Sequence, residues 1–313
     1  MLLGLAQLLA VGFVLALAIA TWLVAYRLRR PPRKTYASAL ARGVPGDPSE
    51  LPAPRAFDEL TINLGGEAYP AWSIPGDAPD GPTIIYTPGW GDSKLGILPR
   101  LEPLLARAAR IIAWDPPGQG DAPGRSALGV REPALLSELI DDVASWSDDD
   151  APIDVVLFGA SLGAGVSIVT AATRPDDDRA HIRAVLSEGA YRHAPTPAHN
   201  VLRLSGLPYR LNAPIAFLFL GLRLGIGPLW KGFDRAAHAA RVRCPLLTLH
   251  GSADEVCPPA DGKAIHAAAD RGELVIIEHG GHNDLWTSDE TSPTCRAAVD
   301  GFLAAHCAEA AGV

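Results

Sequence analysis

Val155-Val156-Leu157-Phe158-Gly159-Ala160-Ser161-Leu162-Gly163 is the stretch on which the reading of this chain turns. An apolar run of strand length ends, Gly-x-Ser-x-Gly follows, and small residues (Ala164, Gly165, Val166, Ser167) open a helical pattern. A serine in such a turn sits in strained backbone, and the flanking glycines let strand and helix approach closely. Its hydroxyl is presented above the sheet, beside a helix N-terminus that favours developing negative charge. A glycine-rich connection can produce the same five letters by chance. The strand before and the helix after them favour Ser161 as a nucleophile.

Working outward, apolar runs alternate with longer helical patterns. Strands are expected at 59–64, 68–74, 83–87, 110–114, 154–158, 183–187, 245–250 and 273–278, and helices at 94–109, 132–147, 163–174, 259–269 and 293–305. The first two strands make a hairpin turning at Gly65-Gly66. From Thr83 the order is strand, helix, strand, helix, which gives an α/β fold with a mostly parallel sheet covered on both faces. In such sheets chemistry collects at the carboxyl ends of the strands.

A serine is a poor nucleophile at neutral pH and needs a base with an orienting carboxylate. Two strand ends supply candidates. Leu246–His250 runs into Gly251-Ser252-Ala253-Asp254-Glu255-Val256, and Leu274–Glu278 runs into His279-Gly280-Gly281-His282-Asn283-Asp284. Asp254 is preferred over Glu255 because its short side chain precedes Val256 and Pro258, although an Asx turn would use the same residue. His282, in a glycine-rich loop, is preferred over His279 as the base. An acyl-transfer site also needs N–H donors for an oxyanion. Leu162, directly after the nucleophile, offers one. The loop Pro88-Gly89-Trp90-Gly91-Asp92 offers the other, and since Pro88 has no N–H, Trp90 is the candidate, with Gly89 second.

From about Asp58 to the C-terminus these residues resemble the α/β-hydrolase superfamily, in the style of lipase-like and serine-aminopeptidase-like esterases. The resemblance is carried by GASLG at 159–163, HGSADEV at 250–256, GGHND at 280–284, PGWGDS at 88–93 and DPPGQG at 115–120. It implies a Ser161, Asp254, His282 triad, oxyanion donors at Trp90 and Leu162, a structural role for the 115–120 loop, and no metal or organic cofactor. Pro88 departs from the pattern, where many members carry His before the glycine. A serine nucleophile also separates the chain from the dehalogenase and epoxide-hydrolase branches. The family's cap falls at about 189–243, and here it contains Leu202, Leu204, Leu207 and the run Pro214–Ile226. That run is too short to span a bilayer before Arg223 and is expected to form a lid helix with an apolar inner face, grazing the membrane.

Leu2–Tyr26 carries no charge, and at about 1.5 Å per residue it is long enough to span a hydrocarbon core with some tilt. Ala18-Ile19-Ala20 resembles a cleavage site, but the apolar stretch is long for a signal peptide and no basic segment precedes it. Residues 2–26 are therefore expected to anchor the chain in a bilayer, and the basic cluster Arg27, Arg29, Arg30, Arg33, Lys34 places the body on the cytoplasmic side. Residues 27–57, rich in proline, read as a juxtamembrane linker with a short helix at 36–42, leaving 58–313 as the hydrolase domain. Beyond residue 34 the remaining 22 bases face 35 acids, a balance that repels phosphate backbones and argues against nucleic-acid partners. The four cysteines are widely spaced without a CxxC pair, as in free thiols of a reducing compartment. The expectation is a membrane-anchored serine hydrolase acting on an ester or thioester, with a small or lipid-like acyl substrate. A peptidase of the same fold and a non-catalytic tethered scaffold are the rivals.

Overall fold

Neighbouring residues in a strand point to opposite faces, and here both faces are covered. Ile84, Tyr86, Val156 and Phe158 enter one core layer, and Ile85, Val155 and Leu157 the other. The computed structural model describes residues 2–146, 152–175, 178–206 and 209–307. Its strands are β1 (Asp58–Leu64), β2 (Glu67–Pro75), β3 (Thr83–Thr87), β4 (Arg110–Trp114), β5 (Ile153–Ala160), β6 (Ala180–Glu188), β7 (Leu246–Gly251) and β8 (Gly272–Ile277). They form one 8-stranded sheet in the order β1-β2-β4-β3-β5-β6-β7-β8. The β1–β2 hairpin pairs antiparallel with itself and with β4, and every pairing from β4 through β8 is parallel. This is the α/β-hydrolase fold expected from the sequence.

The helices are α1 (Leu2–Arg29), α2 (Tyr36–Leu40), α3 (Leu101–Leu105), α4 (Glu132–Ala144), α5 (Leu162–Thr173), α6 (Pro195–Leu204), α7 (Asn212–Leu224), α8 (Arg235–Ala239), α9 (Pro259–Ala268) and α10 (Ser292–Cys307). The single helix expected over 94–109 is not there. Tight 3₁₀ turns run from Lys94 to Arg100 and lead into the short α3. Pro99 and Pro103 lie inside this stretch, and a proline interrupts helix hydrogen bonding. Ser147, the expected end of α4, and Leu207 of the cap lie outside the described residues.

The cap comprises α6 and α7. Ala236 and Ala239 of α8 return to the core layer shared with α5 and α9, so the body resumes before the expected boundary at 243. Helix α7 is apolar all round. Ala213, Ala216, Phe217, Leu220 and Leu224 are buried, whereas Phe219 is 59% exposed and does not belong to an inner lid face with Phe217.

Helix α1 is long and apolar enough to cross a membrane, and only Thr21 and Val24 are buried along it. Val24 packs against Ala213 and Ala216 of α7. The segment after α1 lies along the body. The Ser126 N–H donates to the Arg29 carbonyl at 3.1 Å, Arg33 Nη1 donates to the carbonyls of Gly120 and Ala122 at 3.0 and 2.8 Å, and Lys34 Nζ lies 3.1 Å from Asp92.

Candidate active site

Ser161 occupies φ +51°, ψ −108°, a conformation that non-glycine residues rarely adopt. The surroundings enforce it. A Cβ at Gly159 would lie 2.1 Å from the Gly163 carbonyl oxygen, and one at Gly163 would lie 1.9 Å from that of Thr87. No side chain fits at either position, so β5 can turn directly into α5 against the end of β3. The Ser161 N–H donates to the Glu188 carbonyl at 2.7 Å, tying the elbow to the end of β6.

The three expected side chains meet there. His282 Nε2 lies 3.0 Å from Ser161 Oγ, and its Nδ1 lies 2.7 Å from Asp254 Oδ2. A carboxylate only accepts, so Nδ1 carries the proton and Nε2 is left to accept from the serine hydroxyl. Asp254 is 5% exposed, and its Oδ1 accepts the N–H groups of Val256 and Cys257 at 2.9 and 2.7 Å. Asp254 thus closes an Asx turn with one oxygen and holds His282 with the other. Glu255 and His279 are exposed, and the His279 N–H is used by Ser252 Oγ.

The N–H groups of Trp90 and Leu162, and that of Gly89, have no hydrogen-bond partner among the described residues. A Cβ on Gly89 would lie 3.3 Å from Ser161 Cβ, so this loop runs beside Ser161. Gln119 Oε1 accepts the Gly91 N–H at 2.9 Å, which makes the 115–120 loop a brace for it. The Asp115 carboxylate stabilises that brace from within, accepting from Lys94 N, Lys94 Nζ and Asp121 N at 2.7, 3.0 and 3.1 Å. Trp90 Nε1 donates to the Leu28 carbonyl at 2.8 Å, joining the loop to the end of α1.

Four neighbours escaped the sequence reading. The Cys257 thiol is buried beside the site, and that burial pushes it well above the ordinary thiol range, so it stays protonated. His250 is fully buried, with Nε2 2.8 Å from the Cys257 carbonyl and 3.5 Å from Asp254 Oδ2; desolvation lowers its pKa and keeps it neutral. Glu188 pairs with Arg100 and accepts Trp286 Nε1–H at 2.7 Å. Gly189, at φ +56°, leaves room for the His282 ring, which a Cβ there would approach to 3.4 Å. Position at a strand end was the available signal for Glu188 and Gly189 (β6) and for His250 (β7); Cys257 had only its nearness to Asp254 in sequence. Asp254, Cys257 and His282 place ligand-type atoms within 4.8 Å of one another. Since the carboxylate and imidazole are hydrogen-bonded together and the thiol is protonated, the set suits a proton relay.

The sequence profile of the alpha/beta hydrolase family matches residues 84–294, which include every residue of this constellation. The chain belongs to that family, and its activity is that of a hydrolase. It is 26% identical to an uncharacterized protein of Mycobacterium tuberculosis over 246 residues, 77% of this chain and 76% of the relative. The fold is similar to that of a Pyrococcus furiosus esterase, with TM-score 0.66 and 15% identity over 90% of this chain and 99% of the esterase. It is also similar to a bacterial membrane phospholipase A, with TM-score 0.53 and 19% identity over 96% and 97% of the two chains.

Proposed function

We propose that this protein is a membrane-anchored serine hydrolase that cleaves a carboxylic ester or thioester carrying an apolar, lipid-like acyl group. One observation carries the reading: the continuous hydrogen-bonded chain from Ser161 Oγ through His282 to Asp254 at 3.0 and 2.7 Å. His282 Nε2 takes the Ser161 proton as Oγ attacks the acyl carbonyl, and Asp254 stabilises the imidazolium that forms. The N–H groups of Trp90 and Leu162 receive the oxyanion. His282 returns the proton to the leaving group. It then activates water, which releases the acyl group from Ser161.

The apolar substrate is supported by the cap. Leu162 shares a core cluster with Phe217, Trp230 and Phe233, and a cavity of about 320 Å³ between His193, His199, Phe217, Leu229 and Trp230 opens within it. The structural neighbour aligned over 96% of this chain bears the name membrane phospholipase A, and a lipid ester suits such a cap. The length and apolarity of α1 support the anchor, and the bases that follow it favour a cytoplasmic body.

Labelling of the membrane fraction with a fluorophosphonate tests the reading. The wild type is expected to label and to stay in the pellet after an alkaline wash. Ser161→Ala and His282→Ala should both abolish labelling, and Ser161→Ala should lower kcat by about 10⁶-fold. A folded wild type that does not label overturns the hydrolytic serine.

A further inference from the structure

Charge is segregated along this chain. No Asp or Glu precedes Asp47, whereas six bases do (Arg27, Arg29, Arg30, Arg33, Lys34, Arg42). Likewise, no acid lies between Glu188 and Asp234, a stretch with five bases (Arg192, Arg203, Arg210, Arg223, Lys231). The other 16 of the 27 bases share the rest of the chain with all 35 acids. The fold brings the two acid-free stretches together. Val24 of α1 is buried with Ala213 and Ala216 of α7, and Arg223 stands within electrostatic reach of Arg29.

The outer side of α7 is the second observation. Leu211, Ile215, Leu218, Phe219 and Leu222 are all exposed, from 36% to 63%, and their spacing puts them in one row along the helix. Leu204 and Leu229 extend the exposed apolar surface at 48% and 73%. Arg203, Arg210, Arg223 and Lys231 are also exposed, and none joins a salt bridge among the described residues. A contiguous apolar row and bases in one acid-free stretch of sequence are the composition of a helix lying in a lipid interface.

Depth is the third. A groove of about 600 Å³ runs between Phe13, Ala16, Leu17 and Ala20 of α1 and the cap residues Tyr209 to Asn212. Leu17 lies roughly 15 Å along the helix from Arg27. If α1 crosses a bilayer, the tip of the cap beside it cannot remain in bulk water.

We propose that the cap is a second membrane-binding surface, with the outer row of α7 seated in the interface of an anionic bilayer and its arginines reaching the phosphates. The proposal rests on the reading of α1 as the anchor. The long stems of Arg203, Arg210 and Arg223 lie along apolar surface while their heads reach the headgroup layer. The inner row of α7 packs with Leu162, the residue beside the nucleophile, so one helix faces the lipid on one side and the elbow on the other. An acyl ester drawn from the bilayer would reach Ser161 under the cap.

The test uses the full chain in nanodiscs of mixed phosphatidylglycerol and phosphatidylcholine, with Cys244→Ser and Cys307→Ser removing the two half-buried thiols. Single nitroxide labels go at Phe219→Cys, at Leu15→Cys in α1, and at Ala267→Cys on the body. Collision with oxygen and with a water-soluble nickel chelate reports depth. Position 219 is expected to collide with nickel roughly tenfold less than position 267 and to be reached by oxygen, as at position 15. Reversing Arg203, Arg210, Arg223 and Lys231 to Glu is expected to bring nickel access at 219 back towards that at 267, with fluorophosphonate labelling in detergent unchanged. If 219 is as nickel-accessible as 267 while 15 is immersed, the cap proposal falls and the anchor stands. If 15 and 219 are both in water, both fall. Shielding of 219 from both reagents, with crosslinking between copies, assigns the surface to a second chain and overturns the proposal, as does immersion that survives charge reversal.

Discussion

The sheet body and the half made of the cap and α1 are held together by different means. Around Ser161 the backbone is packed so closely that Gly159 and Gly163 admit no side chain, and polar atoms are fixed by bonds of 2.7 to 3.0 Å. Along α1 there is open space, as at Gly4 and Gly12, where a Cβ would meet nothing within 4 Å. No acid lies in α1, α6 or α7, and these helices leave many of their leucines outside. Chemistry that needs sub-ångström placement sits where the backbone leaves no choice. Along α1 and the outer side of α7 the side chains remain free, and only their composition is constrained.

The largest effect should come from adding one methyl group to each half. Gly163→Ala places a Cβ against the Thr87 carbonyl, a backbone atom that cannot swing aside, and should destabilise the body by about 3–5 kcal/mol. Gly12→Ala, on the open surface of α1, should change stability by no more than about 0.5 kcal/mol. Denaturant unfolding of the two variants measures the contrast. Equal costs would mean that α1 packs against something as closely as the elbow does.

Trp90 joins the halves, because its ring lies beside Ala25 and Leu28 while its backbone belongs to the loop next to Ser161. The Leu28 carbonyl is among the last of α1, where carbonyls lack partners within the helix, and Trp90 Nε1–H supplies one. Trp90→Phe removes that bond and keeps most of the packing. A loss of about 1 kcal/mol is expected, read as a roughly fivefold fall in kcat with KM little changed. A change in KM alone would make Trp90 a substrate contact and leave the loop independent of the anchor.

The body was far more legible in the sequence than the cap. The elbow, Asp254 and His282 were all readable because each follows an apolar strand directly, and strand ends in a parallel sheet share an edge. The helix over 94–109 was misread because its leucines keep a helical spacing through Pro99 and Pro103, and spacing reports burial more faithfully than backbone form. Cys257 and His250 were passed over although they lie three residues after Asp254 and four before it, because spacing alone does not show that the turn folds both back onto its carboxylate. The run Pro214–Ile226 is apolar almost throughout, so its composition could not say which side of α7 was covered, and only the structure separates the buried Phe217 from the exposed Phe219. The juxtamembrane prolines suggested a free linker, and the contacts of Arg29, Arg33 and Lys34 with distant carbonyls and Asp92 could be seen only in three dimensions.

The smallest effect concerns acid stability, where two aspartates should act in opposite directions. Asp234, at the hinge where the cap rejoins the body, is held down to about 2 chiefly by its hydrogen bond from Arg192. Its folded value lies below the ordinary 3.8, so its stabilisation is present above pH 3.8 and is lost as pH falls through about 2. Asp115, inside the body, is pushed up by burial against the opposing pull of the Lys94 charge. A raised carboxyl contributes stability that is complete below pH 3.8 and fades as pH rises through its folded value. As pH falls, the wild type therefore first recovers the Asp115 contribution, above pH 3.8, and then loses that of Asp234, between pH 3.8 and about 2. Asp234→Asn should flatten the fall in Tm across this window. Asp115→Asn should lower Tm, since Lys94 loses its buried partner and keeps only Asp121 at 3.6 Å, yet steepen the acid-side slope. Thermal unfolding at pH 2, 3, 4 and 5 checks both. Parallel slopes in the two variants would show that cap hinge and body titrate as one unit, and that the division between the halves stops at charge and does not extend to stability.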